Sequence, residues 1–349
     1  MSNFYSSLDA RYFWRSGVAN ISPLANLDIY KKKWDIDPSW EIGTAGSCFA
    51  QHIARFMKKN GYNVLDAEPA PRVLANEKHH NYGYSLYSGR YGNIYTTRQF
   101  LQLIQEAFSP DPENFLIWEN EGRFYDALRP NIEPNGFASR DELIAIRNYH
   151  LERLRILFKN VDMFVFTLGL TEAWAHKNSG RVVPIAPGVI AGGDEIEDYE
   201  FVNFTYTEVV DDFSKAMKAI SAHRTKPLHY MLTVSPVPLT ATASGNHVLS
   251  ASTYSKSVLR SAAGFLSETH ENIDYFPSYE IITNPASRAI FYAPNLRSVT
   301  DEGVNVVMKT FFSEHPRKAK VNTRSKAKSN SKKLRDLQCE EALLEAFDK

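Results

Sequence analysis

Five short apolar runs, set apart by longer amphipathic ones, constrain this chain of 349 residues more than anything else in it. The runs cover residues 40–46, 62–65, 161–168, 228–234 and 273–279. Apolar positions at helical spacing fill Arg140–Phe158, Val209–His223 and Ser252–Glu268. A strand with no polar face must be covered on both sides, and strands that alternate with helices pair in parallel. The pattern predicts a three-layer α/β/α sandwich around a central parallel sheet of about five strands. The gap between the second and third strands, about 66–160, is too long for one crossover and reads as an inserted lobe, with a helix over Arg98–Ala107 and aromatic loops such as Asn81–Tyr95. Residues 186–199, with Pro187-Gly188 and Gly192-Gly193, read as a loop.

In such sheets ligands gather at the carboxyl ends of the strands, where Ser47, Gly169 and Ser235 fall. Ser47 stands in Gly46-Ser47-Cys48-Phe49-Ala50, between the first strand and a helix marked by Phe49, Ile53, Phe56 and Met57 and stopped by Gly61. A serine there lies among free amide N–H groups at the positive end of a helix dipole, which favours an alkoxide or a developing oxyanion. Serine also caps helices well, and on spacing alone both readings stand.

Charge and cysteine use narrow the classes. Residues 317–335 hold nine Lys/Arg and no acid, and 336–349 hold five acids and one lysine. With 40 basic and 40 acidic residues in the whole chain, the body 1–316 is left about five charges negative. The basic stretch reads as a disordered linker, since no aromatic accompanies its charges. Nucleic acid or anionic lipid is the alternative partner for it. Leu337, Ala342, Leu343 and Phe347 predict a short helix within 336–349. No apolar run reaches the ~20 residues of a membrane span. Cys48 and Cys339 make no disulfide framework, and the N-terminus lacks the blocks of a signal peptide, so a cytoplasmic location is expected.

Several blocks together resemble the GSCFA family, grouped with the SGNH (GDSL-type) hydrolases. They are Thr44–Ile53, Asp126–Pro130, Phe166–Trp174, Thr233–Pro238, Tyr254–Arg260 and Tyr275–Glu280. The resemblance implies an SGNH-hydrolase, flavodoxin-like sandwich in which Ser47 is a nucleophile for acyl transfer to water or to a hydroxyl. Its own backbone N–H would be one oxyanion donor. Where the superfamily has Gly-x-Asn-Asp, this chain has Gly169-Leu170-Thr171-Glu172. Gly169 would let the backbone approach, Thr171 would replace an amide donor, and Glu172 would orient a histidine or bind substrate. Alternatively Thr171 and Glu172 begin a helix. Gly92 and Asn93 are candidates for a Gly/Asn oxyanion pair. Arg129 would bind an anionic substrate group or pair with Asp126, and Arg260 and Arg297 are open to the same two readings.

The base departs from the pattern. Where SGNH enzymes carry Asp-x-x-His before the final helix, Asn295 and Ser298 stand here, and neither titrates near neutral pH. His247, in a loop beyond the fourth strand, is the expected partner of Ser47. His52, on one helix face with Cys48, offers a rival Cys48/His52 pair, since a cysteine at a helix N-terminus can be nucleophilic. Cys48 can equally be a small core residue. His79-His80 has no metal-ligand spacing, and no phosphate-binding glycine loop is present, so neither metal nor cofactor is expected. The expected function is a serine esterase or O-acyltransferase acting on a small-molecule or glycan acyl ester. The alternative is a non-catalytic ligand-binding protein that lost its base.

Overall fold

The computed structural model describes residues 3–25, 28–111, 115–316 and 340–348. The first two strands flank one helix: β1 (Glu41–Gly46), α1 (Ala50–Lys59) and β2 (Asn63–Val64). Next come α2 (Thr97–Phe108), the hairpin strands β3 (Ile117–Asn120) and β4 (Arg123–Asp126), and α3 (Arg140–Asn160). The chain continues through β5 (Met163–Leu168), β6 (Glu172–His176), β7 (Val182–Val183), β8 (Tyr199–Asn203) and α4 (Tyr206–Ser221). It closes with β9 (His229–Val234), α5 (Val248–Thr269), β10 (Ile273–Tyr275), α6 (Ser278–Thr283) and α7 (Asp301–Glu314).

The main sheet has the order β10-β9-β5-β1-β2, and each neighbouring pair is parallel. Its side chains alternate between two cores, as the period of two in a strand requires. Phe164 and Phe166 face a cluster with α2, α3, α4 and α5, whereas Met163 and Val165 face one with α1, α6 and α7. The result is the three-layer α/β/α sandwich with a central parallel sheet that the alternation predicts. Phe100 of α2 anchors the first layer, with ring centroids 4.8 Å from Phe166 and 5.8 Å from Phe213.

The long segment between β2 and β5 sends α2 and α3 onto that same layer, with the β3–β4 hairpin beside them. Two details differ from the sequence pattern. Glu172 opens strand β6 of a three-stranded antiparallel sheet (β7-β6-β8), so the helix start considered at Thr171 and Glu172 does not form. The alternation Glu172, Trp174, His176 against Ala173, Ala175 is the period-two signal that marks it. The last strand ends at Tyr275, because Pro277 has no N–H for the ladder and precedes helix α6.

Among the described residues no helix is long and apolar enough to cross a membrane. The basic stretch 317–335 lies outside the described residues. Of 336–349, Glu340–Phe347 forms a 3-10 helix.

Candidate active site at the end of the first strand

The first strand ends on a residue that only glycine can supply. Gly46 has φ of +131°, and a Cβ there would sit 2.4 Å from the Thr167 carbonyl oxygen of β5. That close approach lets the Ser47 N–H donate to Thr167 O at 3.1 Å, while Gly46 O accepts from Ile94 N–H at 2.9 Å. The chain then turns through Ser47, Cys48 and Phe49. Ala50 N–H donates back to Ser47 O at 2.9 Å, and α1 begins without any side-chain cap. The Ser47 hydroxyl is buried and has no hydrogen-bond partner among the described residues. Ser47 is therefore not a helix cap. Its amide, expected as an oxyanion donor, is committed to the sheet.

Gly169, at the end of β5, closes on the same spot. A Cβ on it would lie 3.0 Å from Ser47 Cβ and 3.1 Å from Tyr95 O. The N–H groups of Gly169 and Leu170 both donate to Tyr95 O at 3.0 Å. The Gly169 carbonyl accepts from Lys256 Nζ at 2.7 Å, and Thr171 N–H donates to Ser255 Oγ at 3.0 Å. Two successive residues of α5 thus pin the strand end that faces Ser47. The fully buried Thr171 hydroxyl donates to Asn203 Oδ1 at 2.7 Å, so it holds β8 rather than standing ready for an oxyanion.

Beneath the turn, Tyr87 Oη lies 3.1 Å from Ser47 O and accepts from Gln51 Nε2 at 3.1 Å. It also bonds Asn93 Oδ1, which places Asn93 one side chain away from Ser47. Gly92 supplies the left-handed turn (φ +68°) before it.

Sequence-selected titratable groups scatter. His247 is exposed and caps α5, its Nδ1 accepting from Leu249 N–H at 3.2 Å. His52 is buried, and Arg55 donates to its Nδ1 at 2.8 Å, which leaves the proton on Nε2. Burial, reinforced by Arg55, pushes its pKa down to about 3. Its Nε2 has no partner, so no Cys48–His52 pair forms, and Cys48 itself is buried in the turn. No described histidine nitrogen bonds Ser47 Oγ. Asn295 accepts from the N–H groups of Arg297 and Ser298 and donates to Ser298 Oγ at 3.0 Å, a turn closed on itself.

The arginines divide between internal pairs. Arg129 Nε donates to Asp126 Oδ2 at 2.6 Å and Arg147 Nη1 to the same oxygen at 3.0 Å, all three buried. Burial would raise the Asp126 carboxyl, but Arg147 and Arg129 outweigh it and hold it below its ordinary value. Arg129 therefore forms the internal pair with Asp126, while its Nη2 has no hydrogen-bond partner among the described residues. Arg260 pairs with Glu280, and Arg297 with Glu341 at 3.3 Å.

The sequence model of the GSCFA family matches residues 41–311. The chain belongs to the GSCFA family. No curated protein matches it. The GSCFA letters themselves are residues 46–50, and the match runs from the first strand into α7.

Lys256 and Tyr95 were not singled out from the sequence, although both touch the GSCFA turn's neighbour Gly169. A signal for Lys256 exists in its spacing. Ser252, Ser255, Lys256, Leu259 and Ala263 recur at three and four positions, and all are buried in α5. A lysine on the buried stripe of a helix needs a polar partner inside.

Glu172 lies outside this cluster but close to it. It is half-buried, its Oε1 accepts from Thr242 Oγ1 at 2.8 Å, and burial raises its pKa. With Leu170, Trp174 and Phe201 it lines an apolar cleft of about 170 Å³, bounded on one side by Glu341 and Leu344 of the C-terminal segment.

Proposed function

We propose that this GSCFA protein is an SGNH-like serine esterase or O-acyltransferase with Ser47 as its nucleophile. The observation that carries the reading is the Ser47 hydroxyl, which is buried at a strand-to-helix turn and has no hydrogen-bond partner among the described residues. Native structures satisfy nearly all buried hydroxyls, and a catalytic role is one explanation for an exception. In the reaction Ser47 Oγ attacks the ester carbonyl carbon and its proton leaves to a base. The alcohol departs protonated, and water or an acceptor hydroxyl then takes the acyl group from Ser47. Lys256 Nζ donates to the Gly169 carbonyl on the strand end that faces Ser47, and to serve as the base it would have to act from its neutral amine form. Substrate is an acyl ester of a small molecule or glycan, and the two cysteines in 349 residues fit a reducing, cytoplasmic setting.

A second reading, a ligand-binding protein without catalysis, is favoured by one fact. The self-bonded Asn295–Ser298 turn stands where the superfamily keeps its Asp and His. A fluorophosphonate probe separates the two. Labelling mapped to Ser47, lost in Ser47→Ala and kept in Cys48→Ala and His247→Ala, supports acyl transfer. Labelling lost only in Cys48→Ala moves the role to the thiol. No adduct at high probe concentration supports the binding protein.

A further inference from the structure

The cleft next to Leu170 has a described occupant at its wall. Residues 340–348 come back onto the body, where Leu344 packs against the cluster of Trp118, Ile185 and Tyr199 and forms one side of the cleft. The buried Glu341 carboxylate accepts from Arg297 Nη2 at 3.3 Å, and Glu345 stands 3.8 Å from Arg297 Nη1. Arg297 comes from the turn that closes on Asn295 and Ser298, so the segment is tied to the loop before α7.

We propose that this cleft is the acyl-chain site of the reaction inferred above, and that residues 340–348 are a built-in plug that competes for it. The proposal rests on the acyl-transfer reading for its ligand class. Position supports it, because Leu170 lines the cleft and follows Gly169, whose Cβ would touch Ser47. Chemistry supports it too. The walls are Leu170, Trp174, Ile185, Phe201 and Leu239, with Trp174 and Phe201 edge-to-face at 6.1 Å. The polar atoms at its rim, Glu172 and Thr242, already bond each other, which leaves a surface suited to an alkyl chain rather than a polar group.

Size separates plugged from open. About 170 Å³ is free with Leu344 in place. An apolar cavity of roughly 150 Å³ holds a benzene-sized guest, and ligand pockets start near about 300 Å³. Withdrawal of Leu344 and Glu341 moves the cleft toward the second class. Leu343 and Phe347, the segment's other large apolar residues, are 44% and 63% exposed, so Leu344 is the large apolar side chain that the described segment turns inward, beside the Arg297 ion pairs. An alkyl chain offers the cleft more apolar surface than that one leucine does.

The test uses the full chain and a dansylated undecanoic acid as probe, read by its fluorescence. Leu344→Glu and Arg297→Ala release the plug, and each is expected to bind the probe about tenfold or more tightly than wild type, the equivalent of one stability decade. A peptide of residues 336–349 should compete the probe off Leu344→Glu. Ala241, exposed at the cleft mouth, becomes a block as Ala241→Trp and should abolish the gain in the Leu344→Glu background. Equal affinity in wild type and both release variants, no binding in any of them, or a gain that survives Ala241→Trp each overturns the proposal. Near-UV circular dichroism shows that the variants are folded. Probe binding needs no reaction, so it is read independently of any labelling of Ser47. Failure to label Ser47 therefore removes the chemistry without removing the site, and failure to bind the probe does the reverse.

Discussion

Acidification from pH 7 to pH 5 should cost this protein much of its stability, through three histidines that fold uncharged. His52, His150 and His315 are 4%, 0% and 3% exposed. Burial lowers their pKa values from 6.5 to about 3, about 4 and about 4, with help from Arg55, Arg129 and Lys32 respectively. The unfolded chain takes up these protons near pH 6.5, and the folded one resists them until pH 4 or below. Between those values the unfolded state binds more protons, so stability falls as pH falls through the window. Each histidine then loses about 1.4 kcal/mol per pH unit, or about 2 kcal/mol at pH 5, and the three together about 6 kcal/mol. A domain typically has only about 5–15 kcal/mol to lose. Carboxyls raised by burial, Glu172 and Asp274, act in the opposite sense because the folded state protonates them first. The comparison that isolates a histidine is His315→Gln, whose amide can still donate to Tyr30 Oη as His315 Nε2 does at 2.9 Å. Urea unfolding followed by tryptophan fluorescence at pH 7, 6 and 5 gives the slopes. The variant should be flatter by about 1.4 kcal/mol per pH unit. An identical slope in both proteins would show that His315 is not held neutral, and the linkage argument would fail with it.

Three substitutions test the framework around the site. Gly46→Ala places a Cβ 2.4 Å from Thr167 O in a left-handed backbone, and urea unfolding should show a loss of about 3 kcal/mol or more. Asp126→Asn leaves the guanidinium of Arg129 buried without its carboxylate and that of Arg147 with Glu106 alone, at a cost of about 3–5 kcal/mol. Because the Asp126 carboxyl is held below its ordinary value, its contribution is present above about pH 4 and lost on further acidification, so the variant and wild type should converge there. Ser47→Ala removes a hydroxyl that bonds nothing, and equilibrium unfolding should find it neutral or up to about 1 kcal/mol more stable.

The fold was legible because its signal is carried by long, consistent patterns. All five sheet strands announce themselves as apolar runs, and α3, α4 and α5 as helical stripes. What the pattern did not reveal is how residues 66–160 are used. Period and composition mark α2 and α3, but nothing local says that Phe100 and Leu154 join the core of the main sheet. The β6 strand was hidden for a similar reason. Its pairing with β8 joins residues about thirty positions apart, and at Thr171-Glu172 a first-turn carboxylate looks equally plausible.

The site was legible in its turn and not in its partners, and the difference is physical. Gly46, Ser47 and Gly169 are dictated by backbone geometry, which leaves a mark in residue type: two positions without room for a Cβ and a small hydroxyl between strand and helix. A base is dictated by the reach of a side chain from another element, which leaves no mark of its own. Counting histidines therefore pointed to His247, which caps α5 in solvent, and to His52, whose available nitrogen carries its proton. Asking which charged residue lies on a buried stripe finds Lys256, an ammonium that enters the core where an acceptor waits, the Gly169 carbonyl at 2.7 Å, and that stands there as a donor, not as a free base. If Ser47 is a nucleophile, the residue that activates it is constrained by the same rule. It must reach a hydroxyl that no described side chain bonds, close to a strand end that α5 already holds through Ser255 and Lys256.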